Sequence, residues 1–103
     1  MTSPTYRLFR TAILERKQVT CVYKDCYREV CPHVLGFKDG QEMALTFQFG
    51  GQSKSGLPRG GEWRCLVLAQ VSDARIRDGA WYTGGSHRTT QVCVGIVDVD
   101  VNR

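Results

Sequence analysis

The sequence contains no long hydrophobic run, and none of its apolar stretches approaches the roughly 20 residues that a membrane-spanning helix needs. The N-terminal residues 1–17 are rich in arginine and contain no apolar segment of the kind found in secretory signal peptides. We therefore expect a cytoplasmic protein that does not enter a membrane. At 103 residues, the chain has room for one domain with one core, and it contains no internal repeat.

Motifs of common catalytic sites are also missing. Neither G-x-S-x-G nor H-E-x-x-H occurs, and the two histidines are His33 and His87. Cys31 and His33 share one strand face, so a cysteine-dependent enzyme is a third, less favoured hypothesis. Buried and inert cysteines are commoner than nucleophilic ones. We expect a protein that is not an enzyme and needs no cofactor.

The cysteines do not form a recognisable framework. Their number is odd and no export signal is seen, so we expect reduced, partly buried thiols and not disulfides. The first three are spaced C-x4-C-x4-C, which differs from the close C-x2-C pairs of common zinc sites, so no metal site is expected. The five cysteines are Cys21, Cys26, Cys31, Cys65 and Cys93.

Residues 50–62 form a glycine-rich loop. Two of its glycines have the spacing of a P-loop, but Leu57 and Pro58 follow the second one in place of lysine and a hydroxyl residue. The loop is therefore interpreted as a connector. The alternative is a flap over a ligand, in which Lys54 and Arg59 would contact an anion.

The first segment, residues 4–17, is predicted to be a helix. Ser3 can cap it, Pro4 suits its first position, and apolar residues recur at helical spacing. In the rest of the chain, apolar and polar residues alternate in the manner of β-strands. Asp39-Gly40 predicts a hairpin, and Pro32 predicts a bulge, a bend or an edge. The predicted strands cover residues 19–23, 28–37, 43–49, 63–71, 73–77 and 91–101. The pattern predicts a mainly β (α+β) fold in which a helix precedes a small five- to six-stranded barrel.

Basic and aromatic residues offer the best candidate site. The net charge is +4, and residues 1–28 hold an equal excess of basic over acidic residues, which could attract phosphate or simply form a solvated face. Arginines and aromatic rings on one curved sheet can pair with phosphates and stack bases, although Tyr23 and Trp63 could instead fill the core. The candidate ligand- or nucleic-acid-binding residues are Tyr23, Arg28, His33, Trp63 and Arg64.

The order of segments resembles that of WYL domains. After the helix and the strand at 19–23, the motif Arg28-x-Val30-x-Pro32-His33-x-Leu35-Gly36 is similar to the opening of that family, and residues 64–71 are similar to its later strand. The resemblance implies an SH3-like or Sm-like barrel at about 18–78, followed by a C-terminal extension with an added strand at 79–103. It also implies a nucleotide or oligonucleotide ligand and a role in bacterial transcription regulation.

Several positions depart from the family pattern. Residues 43–45 keep only the leucine of the tripeptide that names the family, and Gln70 and Val71 replace its arginine and isoleucine. No helix-turn-helix domain accompanies the barrel, so we expect a stand-alone, divergent relative. The favoured hypothesis is a non-catalytic module that senses a ligand or binds nucleic acid. The alternative is a protein-interaction or homodimerisation module without a small ligand.

Overall fold

The computed structural model describes residues 2–53, 56–84 and 93–101, and it confirms a mainly β fold that begins with a helix. All strand pairings are antiparallel, and the sheet is barrel-like without being closed. The elements are α1 (Pro4–Glu15), β1 (Gln18–Tyr23), β2 (Cys26–Lys38), β3 (Gln41–Gly51), β4 (Glu62–Val67), a 3-10 helix (Leu68–Gln70), β5 (Val71–Arg77) and β6 (Ile96–Asp100).

Helix α1 begins where its cap predicts. The Ser3 hydroxyl accepts a hydrogen bond from the Tyr6 amide at 3.1 Å, and Ser3 in turn donates to the Glu42 carboxylate on β3. The helix ends two residues earlier than predicted because Arg16 turns into the left-handed region with a φ of 52°. Its buried face consists of Tyr6, Phe9, Ala12 and Ile13.

The long strand β2 organises the sheet. The strand order is β4-β3-β2-β1-β5, and β6 also pairs with β2. Strand β3 occupies one edge of β2, so β1 (opposite residues 26–30) and β6 (opposite residues 34–37) share the other edge. The register with β3 shifts between Pro32 and Val34, which confirms the predicted irregularity at the proline.

Two predicted strands differ in the structure. Residues 63–71 were expected to form one strand, but β4 ends at Val67 and a 3-10 turn intervenes before β5. This break is required because β4 and β5 lie at opposite ends of the strand order, and the chain must cross between them. The last strand begins at Ile96, later than expected. Gly95 precedes it and donates its amide to the Phe37 carbonyl at 2.9 Å, while residues 91 and 92 lie outside the described part of the chain.

The core consists of two clusters, and β3 contributes residues to both. On β3, Ala44 packs into a main cluster between α1 and the sheet, whereas Met43 and Leu45 pack into a second cluster. Both faces of the strand are therefore covered. The second cluster comprises Val34, Met43, Leu45, Cys93 and Val94, with Trp63, Val67 and Val97 packed against it.

The cysteines do not all follow the prediction of reduced thiols. Cys65 on β4 and Cys93 form a disulfide with a Cα–Cα distance of 5.5 Å, because the second cluster brings the segment before β6 against β4. Cys21, Cys26 and Cys31 are free and buried, as expected. Within the described ranges, no helix has the length and apolar character required to cross a membrane.

Candidate functional site

A cavity of about 430 Å³ opens between the β1–β2 turn and β4, and we call it the cationic pocket. Although β1 and β4 are separated by two strands in the sheet, curvature brings them together. The Val67 amide donates to the Tyr23 hydroxyl at 3.2 Å across this gap. The pocket is lined by Tyr23, Lys24, Arg28, Ser53, Trp63, Arg64, Cys65 and Leu66, so it gathers four of the five candidate residues named from the sequence.

Arg28 is the most unusual residue of the cationic pocket. Its side chain projects from β2 and the residue is only 5 % exposed. Nε donates to the Tyr23 carbonyl at 3.3 Å, and Nη1 donates to Gln48 Oε1 at 3.1 Å. None of the ion pairs among the described residues includes Arg28. A buried guanidinium that has only neutral partners is energetically costly unless an anion neutralises it.

Gln48 fixes the orientation of Arg28. It is fully buried on β3, and its Nε2 donates to the carbonyls of Gly50 and Gln52 at 3.0 Å each. The amide oxygen is thereby left to accept from Arg28. Only an amide can donate and accept in this way, so Gln48 supports the cation without neutralising it. Sequence reasoning missed this residue because a polar side chain in an alternating strand is typical of the solvent-facing side.

The β1–β2 turn contributes a second cation. Lys24 and Asp25 form its two central residues with φ angles of 52° and 63°, a geometry that glycine and asparagine favour. Lys24 Nζ lies 5.6 Å from the centroid of the Tyr23 ring, and Arg28 Cζ lies 5.2 Å from the same centroid. The buried Tyr23 ring therefore belongs to the core and supports two cations through its π-electrons.

Arg64 supplies the third cation, but its charge is partly balanced. Its Nη2 lies 2.8 Å from the Glu62 carboxylate, and it also donates to Ser53 Oγ and the Gly56 carbonyl. The side chain is 18 % exposed. Arg64 therefore orders the two ends of the glycine-rich loop at the rim of the pocket. Its Nε is buried and has no hydrogen-bond partner in the described ranges.

Trp63 separates the cationic pocket from a second cavity of about 340 Å³. His33, the fifth candidate residue, lies behind Trp63 and not in the cationic pocket. The His33 and Trp63 ring centroids are 4.8 Å apart, and His33 Nδ1 is 2.7 Å from the Cys31 carbonyl oxygen. His33 thus helps to position the indole. The second cavity is lined by Phe47, Arg59, Gly60, Gly61, Glu62, Trp63, Thr83 and Gly84.

Of the two flap residues, the structure describes Arg59 alone, and Arg59 does not line the cationic pocket. Arg59 is exposed and lines the second cavity. Lys54 lies outside the described residues, as does His87. The anion flap therefore stays a prediction for Lys54, while Arg59 is placed on the far side of Trp63.

The free thiols have the properties of buried groups and not of nucleophiles. Burial raises the pKa of the Cys31 thiol, and it raises the pKa of Cys21 to about 11 although the positive charge of Arg28 acts in the opposite direction. Both thiols are therefore protonated near neutral pH, which disfavours attack on a substrate. Among the residues that the structure describes, no three histidine, cysteine or acidic side chains are grouped to hold a metal ion.

No protein-family model, curated protein or solved structure matches this chain. The similarity to WYL domains therefore stays a prediction from the sequence.

Proposed function

We propose that this chain is a non-catalytic module that senses a phosphate-bearing ligand, a nucleotide or an oligonucleotide, through the cationic pocket. The observation that carries the proposal is Arg28, a buried guanidinium with neutral protein partners on the wall of an open cavity. A bound phosphate would supply the missing negative charge and accept charge-assisted hydrogen bonds. This ligand class and mode of action correspond to those implied by the resemblance to WYL domains.

The composition of the pocket favours a nucleotide over a simple inorganic anion. The hydrogen bonds that Arg28 makes with the described residues use Nε and Nη1, so Nη2 is available there to donate to a ligand. Lys24 and Arg64 flank the same space and add positive charge. Trp63 adds a large aromatic surface at the pocket wall, where a base can stack. Guanidinium groups beside an aromatic ring are typical of sites that bind phosphate and base together.

The direct test is a binding titration with a fluorescein-labelled single-stranded oligonucleotide of about 12 nucleotides, a length within the usual range of small barrels. At low salt we expect saturable binding that Arg28→Met weakens by about tenfold or more, since hydrogen bonds to charged groups contribute about 1.5–3 kcal/mol. Mononucleotides are titrated in parallel as competitors.

Arg75→Met is the matched control for this titration. Arg75 lies exposed on β5, away from the cationic pocket, and the substitution removes the same charge. We expect the affinity of Arg75→Met for the oligonucleotide to stay close to that of the unmodified chain. Equal losses for the two variants would show that only net charge matters, and the absence of any binding at low salt would refute the proposal.

A second candidate function is supported by Ile96, which is 72 % exposed at the start of β6. An exposed apolar side chain on a strand that pairs with β2 along one edge suits addition of a strand from a second copy or a protein partner. Light scattering of the chain and of Ile96→Asp separates this candidate from the first. A dimer that Ile96→Asp dissociates, without any change in oligonucleotide affinity, would support the interaction module.

A further inference from the structure

The disulfide joins the cationic pocket to the C-terminal segment of the chain. Cys65 lines the pocket and directly follows Arg64 on β4. Its partner Cys93 lies 28 residues later, in the segment that leads into β6. A covalent bond therefore connects the wall that carries Trp63 and Arg64 to an element whose described residues, 93–101, do not line the pocket.

The C-terminal segment is closely docked behind that wall. Cys93 and Val94 belong to the second core cluster, and Trp63 packs against this cluster. A side chain at Gly36 of β2 would overlap the Ile96 carbonyl oxygen and would lie 2.7 Å from Val94 Cγ1, so the backbones approach as closely as glycine allows. Because the segment is docked on β2, the disulfide restrains the position of β4 relative to β2.

The disulfide is also isolated from the other cysteines. Cys21, Cys26 and Cys31 are buried and free, and burial raises the pKa values of the Cys21 and Cys31 thiols. Thiol–disulfide exchange requires a thiolate, so the raised pKa values disfavour attack on the bond by Cys21 and Cys31 within the folded protein. By contrast, Cys65 is exposed at the pocket while Cys93 is buried. An external thiol can therefore approach the Cys65 sulfur.

We propose that the Cys65–Cys93 disulfide is a redox switch that controls the affinity of the cationic pocket, an inference that rests on the proposed function. In the oxidised protein, β4 is held so that Arg64 and Trp63 face Arg28. Reduction frees β4 from the docked segment and weakens ligand binding. In a reducing compartment, the disulfides that do occur are usually catalytic or redox-sensing and not structural.

The chemical step is reduction by an external dithiol. One thiolate of the dithiol attacks Cys65 Sγ, the S–S bond breaks, and Cys93 Sγ leaves with the electron pair and takes a proton. The second thiolate then attacks the reductant's own sulfur in the mixed disulfide, and Cys65 is released as a thiol. The protein gains two electrons and two protons, and the dithiol becomes a cyclic disulfide. The reverse exchange restores the oxidised state.

The test compares the affinity of the oxidised and the dithiothreitol-reduced protein for the fluorescein-labelled oligonucleotide. Alkylation under denaturing conditions, followed by mass measurement, verifies that three thiols react before reduction and five after it. We expect reduction to weaken binding by about fivefold or more, at the lower end of typical coupling between sites. The variant Cys65→Ser/Cys93→Ser should bind the oligonucleotide with the affinity of the reduced protein, and dithiothreitol should not change that affinity. The control variant Cys26→Ser should lose affinity on reduction as the unmodified chain does.

Hydrogen exchange at residues 63–66 gives a second readout that needs no ligand. Faster exchange after reduction, together with weaker binding, supports the switch. Equal affinities in the two redox states overturn the switch and leave the proposed function intact. If neither redox state binds the oligonucleotide, the proposed function fails. The hydrogen-exchange data then decide separately whether the disulfide controls the pocket wall. Exchange rates at residues 63–66 that do not change on reduction would overturn the redox switch.

Discussion

Arg28 is held by both the main chain and the side chain of Tyr23. Its Nε donates to the Tyr23 carbonyl at 3.3 Å, and its Cζ lies 5.2 Å from the centroid of the Tyr23 ring. The Tyr23 hydroxyl is itself fixed by the Val67 amide. The cation is therefore positioned before any ligand arrives, which lowers the entropic cost of binding.

The first prediction concerns the stability of Arg28→Met, the variant expected to lose ligand affinity. Methionine keeps an apolar stem of similar length and removes a buried charge that no carboxylate among the described residues balances. Relief of that desolvation offsets the loss of two hydrogen bonds, so we expect the free energy of unfolding to change by less than about 1 kcal/mol or to increase. Urea denaturation measures it, and a loss of more than about 3 kcal/mol would identify Arg28 as a structural residue instead.

The second prediction concerns salt. Lys24, Arg28 and Arg64 face the cationic pocket, and Glu62 already neutralises part of the third charge. With two to three phosphate contacts, log affinity for a single strand should fall against log salt concentration with a slope of about −1.4 to −2.1. Arg28→Met should make the slope shallower by about 0.7. Titrations at several salt concentrations measure both slopes, and an unchanged slope for the variant would exclude a phosphate contact at Arg28.

Local signals in the sequence predicted the start of the helix, one hairpin and the irregularity at Pro32. Ser3 and Pro4 mark the start of α1, Asp39-Gly40 forms the β2–β3 turn with φ angles of 52° and 78°, and Pro32 coincides with a register shift. Each of these depends on residues that are close in sequence, which is why composition and spacing were sufficient. For Arg28 and Arg64 the sequence predicted only that both lie on strands of one curved sheet, and the structure places both on the wall of the cationic pocket.

What the sequence could not predict depends on contacts between distant residues. The Cys65–Cys93 disulfide forms because the second core cluster brings β4 and the C-terminal segment together. The role of Gln48 depends on Arg28, which lies 20 residues earlier in the sequence and donates to Gln48 Oε1 from the neighbouring strand. His33 shares the β2 strand with Arg28, yet it packs against Trp63 behind the pocket.

The third prediction concerns the β1–β2 turn. Asp25 has a φ of 63°, a conformation that costs an L-residue on the order of 1 kcal/mol and costs glycine little. We expect Asp25→Gly to raise the free energy of unfolding by about 0.5–1 kcal/mol and to leave oligonucleotide affinity intact, since Lys24 is retained. Asp25→Ala is the control, because it removes the same carboxylate but keeps the backbone cost. Equal stabilisation by glycine and alanine would attribute the effect to charge.

The fourth prediction compares two glycines at the β2–β6 contact. A Cβ at Gly36 would overlap the Ile96 carbonyl oxygen, whereas a Cβ at Gly95 would lie at an ordinary distance of 3.4 Å from the Phe37 carbonyl oxygen. We expect Gly36→Ala to lower the free energy of unfolding by about 2 kcal/mol or more, as overpacking does, and Gly95→Ala to have little effect. Thermal unfolding of the two variants measures the difference. Similar stabilities would show that β6 does not dock closely on β2.

The fifth prediction concerns the dependence of stability on pH. Burial raises the pKa of Cys21 to about 11, from 9.0 for an accessible thiol, so between these values the folded protein keeps a proton that the unfolded chain releases. The unfolded state then binds fewer protons, and stability falls as the pH rises from about 9 to about 11. At about 1.4 kcal/mol for each unit of pKa shift, the loss is on the order of 2–3 kcal/mol.

Cys21→Ala should flatten this decline, although it also removes packing atoms that contribute at every pH. The comparison is therefore between the pH slopes of the two proteins and not between their stabilities at one pH. Both are measured by urea denaturation in a Cys65→Ser/Cys93→Ser background, so that thiol–disulfide exchange does not interfere at high pH. Lys17, whose pKa is raised by Asp78, contributes equally to both slopes. If the free energy of unfolding had the same pH slope in both proteins, the Cys21 thiol would ionise as readily in the folded protein as in the unfolded chain. That result would contradict the raised pKa of Cys21.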